Sequence, residues 1–271
     1  MILRETDTLV LPDGVLPIDG ALADHVRDGA YALNAAGAIV VAHDGRPLGE
    51  AIAAVEQAWG VDHDQARRDV LAFAWLLNRA LLANIRRRGN PLRRAAVWLW
   101  AAVRLLPFGI VLPVLNRRVG LDTSSRLRAA RGAFVASLPR SFGAAAACAV
   151  VVLPAAGLVG APPGAVAALT AVAVVGVATH EAGHALALRG IPAALVSSGV
   201  AVSVLYRPAG PRATAVIALA GPALPAAIGL FVAVLGVRLD SVEAGILACP
   251  LAGHALTATL LGRDGRMLCR S

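Results

Sequence analysis

The chain has 271 residues, of which 58% are hydrophobic and 15% charged, with a mean hydropathy of +0.69. Ordinary soluble domains are roughly 45–50% apolar, so this is a membrane-protein composition and argues against an all-soluble chain. The net charge of +8 and pI near 11.0 do not mark a nucleic-acid binder: the arginines sit beside apolar stretches without the interleaved aromatics of a base-stacking surface, and they read as topology signals and contacts to anionic lipids.

Cys148, Cys249 and Cys269 show no CxxC spacing and imply no disulfides. The N-terminus, MILRETDTLVLPDG, lacks a basic start followed by an apolar run. No cleavable signal is expected, and the first segment is expected to stay in the cytoplasm. Up to about residue 90, charged and apolar residues mix as in a small soluble domain. Residues 9–18, broken by Pro12, Gly14 and Pro17, read as short strands. Residues 48–58 and 62–85 read as helices, the second with Val70, Phe73, Leu77 and Leu81 on one face. RRRGNPLRR at 86–94 breaks the helix and reads as a hinge at the membrane surface.

The stretch 95–115 is apolar, yet Arg104 lies at its centre and Pro107 and Pro113 within it. We read it as an interfacial or re-entrant segment with belt tryptophans Trp98 and Trp100 in preference to a true span. Four later segments, 141–161, 165–188, 212–237 and 241–261, reach the ~20 apolar residues that a crossing needs. Arginine-rich flanks at 126–140, 189–212 and 263–270 alternate with arginine-poor turns, which predicts a multi-pass cell-membrane protein with both termini cytoplasmic.

Within the second span lie His180, Glu181 and His184. Ionisable residues inside a bilayer cost several kcal/mol each by some estimates and persist mainly where they pair or bind something. HExxH puts two imidazoles on one helical face, where both reach one ion, with the glutamate placed to take a proton from water. A third ligand is needed from His254, Asp240, Glu243 or Asp264. Depth favours Asp264, which shares the cytoplasmic end with His184 and precedes a flexible Gly265. His254 lies about two turns deeper and is assigned to hydrogen bonding with substrate or a ligand.

HEAGH at 180–184, AGP at 220–222 and RDGRML at 263–268 together resemble the site-2 protease family of intramembrane zinc metalloproteases. The resemblance implies zinc held by His180, His184 and Asp264, with Glu181 as general base. This chain departs from the family at two places: Pro225 stands where an asparagine often follows the Gly-Pro, and His254, Thr257 and Thr259 stand near a second asparagine position. The oxyanion-stabilising residue is therefore not assigned.

Between the second and third spans, Val200, Val202, Val204 and Tyr206 alternate at strand spacing. One reading is an ordinary structured loop. The other is an edge strand that holds substrate extended through Val202 and Val204, since a helical peptide bond exposes its carbonyl poorly. Gly221 and Pro222 would break the third span beside the metal and contact substrate, or form a purely structural kink.

Residues 31–77, with Asn34, Gly37, DGRPLGEAI at 44–52, Phe73 and Leu77, are similar to PqqD-like leader-recognition domains of peptide biosynthesis. That resemblance implies a winged-helix-like α+β fold in which a leader peptide adds a strand to a three-stranded sheet. The expected architecture is thus a PqqD-like domain at 1–88, a basic interfacial linker at 89–135 and an α-helical integral membrane protease domain at 136–271. The expected function is a zinc endopeptidase that removes the leader of a precursor peptide, with membrane lipids and peptide-modifying enzymes as further partners. The alternatives are a regulatory protease cutting a membrane-anchored protein, and a non-proteolytic scaffold.

Overall fold

A computed structural model describes residues 3–88, 115–139, 141, 162–198, 201–258 and 264. The expected interfacial segment at 95–115 and the first expected span at 141–161 lie almost wholly outside the described residues. The fold mixes helix and sheet, with 58% helix and three small sheets among the described residues. It divides into two compact units, residues 1–120 with 196–199, and residues 121–195 with 200–271.

In the first unit, β1 (Thr8–Val10) pairs antiparallel with β5 (Asn84–Arg86), and β2 (Val15–Ile18), β3 (Ala21–Asp24) and β4 (Gly29–Ala32) form an antiparallel meander. Ile18 pairs with Ala21 across the two-residue turn Asp19-Gly20, where both residues have positive φ. Asp-Gly suits that turn because Gly pays no Cβ penalty there and Asp tolerates the left-handed region. Three helices follow: α1 (Ala35–Ala42), α2 (Leu48–Trp59) and α3 (His63–Arg79). Asn34 Oδ1 accepts from Gly37 N at 2.7 Å to cap α1, and Asp62 Oδ1 accepts from Gln65 N at 2.8 Å to cap α3. Each cap is worth about 1 kcal/mol. A Cβ on Gly37 would lie 2.8 Å from Phe73 Cζ, so glycine lets α1 approach α3. Leu9, Leu22, Val40, Leu48, Ile52, Val70 and Leu71 form the core.

This unit extends past residue 88. The strand β6 (Asn116–Leu121) returns to it and is held there by the side-chain amides of Asn78 and Asn84. Asn78 Oδ1 accepts from Asn116 N at 2.9 Å and Asn84 Oδ1 accepts from Arg118 N at 2.7 Å; Nδ2 of each donates to the Asn116 and Arg118 carbonyls at 2.8 Å. Arg118 is fully buried and grips Asp24 with both terminal nitrogens at 2.7 Å.

The second unit holds a helix α4 (residues 126–139), α5 (Pro163–Leu186), α6 (Pro211–Arg238) and α7 (Val242–Ala252), which runs into a 3-10 turn, Gly253–Ala258. Helices α5 and α6 are long and apolar enough to cross a membrane. Proline opens both, at a first-turn position where its missing N–H costs nothing. Where one unbroken span was expected at 241–261, α7 carries Pro250 inside and passes into the tighter turn at Gly253. The strands β7 (Ala193–Ser198) and β8 (Ala201–Tyr206) lie in the chain between α5 and α6, with β8 at an edge of its sheet among the described residues. Val202, Val204 and Tyr206 pack on a cluster that includes Leu188, Leu195 and Ile217.

Small residues set the helix spacing in this unit. A Cβ on Gly183 would collide with the backbone of Ala220 and Gly221, joining α5 closely to α6. On the same terms Gly229 and Gly236 admit α7, whose Ala252 N and Ala244 Cβ would lie 2.6 and 2.9 Å from an added methyl. In a bilayer, where lipid tails are as apolar as side chains, close backbone approach of this kind supplies the packing that holds helices together.

Candidate metal centre

His180 and His184 are one turn apart on α5, so their rings project from one face. Their Nε2 atoms lie 3.2 Å apart. Asp264 closes the group: Oδ2 is 3.1 Å from His180 Nε2 and Oδ1 is 3.6 Å from His184 Nε2. One ligand atom from each of the three lies within 4.8 Å of the others, and no other group of this kind occurs among the described residues. Metal–ligand bonds of about 2.0–2.1 Å in a tetrahedron place ligand atoms about 3.3–3.4 Å apart, so these separations fit one small cation. The donor set, two imidazoles and a carboxylate, suits a borderline metal such as zinc, although it does not by itself identify one.

Burial adds to this. His184, Glu181 and Asp264 are all buried, and 12% of the His180 side chain is exposed. His184 Nδ1 donates to the Ile217 carbonyl at 2.7 Å, which fixes the tautomer and leaves Nε2 with a lone pair facing the group. Ile217 belongs to α6, and four residues later Gly221 lies directly beneath the His184 ring, where a Cβ would overlap it. Pro222 and Pro225 are buried inside α6, and each removes an N–H from the helical ladder. Gly221 and Pro222 thus lie at the packed base of His184.

His254 lies beside His180, ring centroids 5.3 Å apart, and outside the three-residue group. Asp240 and Glu243 are not part of it either; they occupy the turn into α7, where the Ser241 hydroxyl caps the helix at Ala244 N. Val202 and Val204 face the apolar cluster around Leu188, and β8 lies at an edge of its sheet among the described residues. The Ile217 carbonyl, Gly176 and Gly183 were not among the expected site residues. A backbone carbonyl leaves no trace in composition, whereas the four-residue recurrence of Gly176, His180 and His184 was a readable signal.

No protein-family model, curated protein or solved structure matches this chain.

Proposed function

We propose that this chain is a membrane-embedded zinc metalloendopeptidase that captures a precursor peptide through its first unit and removes the leader. The carrying observation is the convergence of His180, His184 and Asp264 next to Glu181, on a helix apolar enough to span a bilayer. The proposal includes the four-span arrangement with cytoplasmic termini, the site-2-protease-like core and the PqqD-like first unit, for which the sequence resemblances are the support.

His180, His184 and Asp264 would hold the metal, and the Asp264 carboxylate would offset part of its charge. When bound, zinc lowers the pKa of its water toward about 7 and polarises a carbonyl. Glu181 follows His180 directly and would accept the proton of the attacking water and return it to the leaving amide nitrogen, a contribution of about 10²–10⁴-fold. The surrounding glycine-packed helices exclude bulk water and strengthen these electrostatic contacts. The edge of β8 offers backbone groups to an extended substrate, and binding at the first unit raises the local concentration of the cleavage site.

The test is metal analysis and cleavage on the full-length protein in detergent. Wild type should carry about one zinc per chain and cut a leader-bearing precursor. Glu181→Gln should keep the metal while cleavage falls by about 10²–10⁴-fold. A protein without metal would favour the scaffold reading. Cleavage of a membrane-anchored protein, with precursor peptides untouched, would favour the regulatory protease.

A further inference from the structure

The two imidazoles of the group are held differently. His184 is oriented by its hydrogen bond to the Ile217 carbonyl. His180 Nδ1 is buried and meets no hydrogen-bond partner among the described residues. What lies against His180 is the His254 ring, tilted by 41° at 5.3 Å between centroids. His254 reaches that place through Gly176, which precedes His180 by four residues on the same face of α5. A methyl at Gly176 would lie 2.8 Å from His254 Nε2 and 3.3 Å from Cδ2, so the ring occupies a slot that only glycine leaves open.

We propose that His254 is a positioning residue: its ring, seated over Gly176, holds the His180 imidazole with Nε2 turned toward the metal position. This inference rests on the metal-centre reading and deepens it. A histidine free to rotate loses rotamer entropy on binding an ion, and a neighbour that restricts it beforehand removes that cost. For His184 a hydrogen bond supplies the restriction; for His180 a packed ring does. His254 then acts neither as a ligand nor as the substrate hydrogen-bonding group that the sequence suggested.

Zinc affinity of the full-length protein, measured by competition with a chromogenic chelator, tests this. His254→Ala should weaken zinc binding by about tenfold or more, the usual effect of losing a group that orients a ligand. His254→Phe, which keeps a ring and cannot ligate, should bind zinc close to wild type. Gly176→Ala should weaken binding as His254→Ala does, although alanine is the better helix former, because the methyl displaces the ring. Unchanged affinity in His254→Ala or Gly176→Ala overturns the proposal. Equal loss in the Phe and Ala variants also overturns it and makes the imidazole itself the requirement. A wild type that binds no zinc overturns the metal-centre reading along with it.

Discussion

At the residue scale, the buried ionisable groups among the described residues include Asp24 and Arg118 in the first unit and Glu181, His184 and Asp264 in the second. In the first unit, burial alone would raise the Asp24 pKa, but hydrogen bonds from Arg118 and Arg27 outweigh it and hold the carboxyl well below the usual range. A carboxylate with a depressed folded pKa stabilises the fold above its unfolded pKa of about 3.9, and that contribution is lost as pH falls toward the folded value. Removing one partner of a buried pair leaves an uncompensated charge, so Arg118→Ala should destabilise the first unit by about 3–5 kcal/mol. Adding Asp24→Asn should recover part of the loss and flatten the stability profile below about pH 4. Denaturant unfolding of single and double variants across pH checks both, and additive losses would count against the coupling. In the second unit the carboxylate is Asp264. Asp264→Ala should strip zinc far more completely than His254→Ala, since Asp264 offers oxygens at 3.1 and 3.6 Å to the two histidines. Metal content after dialysis against a weak chelator would reveal the opposite ranking.

At the element scale, helix spacing governs the metal centre. α5 and α6 touch through Gly183 and Gly221, and the Gly221 contact is with the His184 ring itself. Gly221→Ala should therefore tilt that imidazole, weaken its bond to the Ile217 carbonyl and lower zinc affinity by about 10–100-fold. Gly229→Ala, placed against α7, should loosen packing with a smaller effect on metal. Chelator competition on the two variants separates these outcomes. If both lose metal equally, general bundle loosening is the cause. Helix α6 also shows how proline is tolerated in an apolar helix: Pro222 and Pro225 are buried beside glycine, where neighbouring backbone and polar groups can meet the freed carbonyls.

At the scale of the whole molecule, the proposed function gives recognition to one compact unit and chemistry to the other. Deleting residues 1–88 should raise the KM for a leader-bearing precursor while leaving kcat much less affected, because tethering acts on local concentration. The deletion also leaves Arg118 without Asp24, so the cleaner comparison pairs it with Arg118→Met. A drop in kcat with KM unchanged would mean that the first unit shapes the active site and does not merely deliver substrate. A fragment ending at residue 88 would lack Asn116 and Arg118 and so carry a buried Asp24 without its principal partner, whereas one ending at Gly120 keeps it.

Local pattern alone determined much of this. The spacing of Val70, Phe73 and Leu77 marks α3, although the helix expected over 62–85 ends at Arg79 and Leu81, expected on the same face, has a φ of 61°; the apolar runs mark α5 and α6, the Val202–Val204–Tyr206 alternation marks β8, and the i, i+4 histidines share one face because helical geometry leaves no other option. Only the tertiary structure decided what lies far apart in sequence. Asp264, which depth already favoured, meets His180 and His184, whereas no sequence signal told that Ile217 orients His184, that His254 lies in the slot over Gly176 or that Arg118 returns to Asp24. Within the segment expected to span at 241–261, the described residues are helical from Val242 to Ala258 and tighten to 3-10 geometry from Gly253, a change of pitch that hydropathy does not register. Periodicity is a property of one element and can be read from it. A contact between elements depends on how closely their backbones approach, and here that was set by glycines whose partners lie far away in the chain.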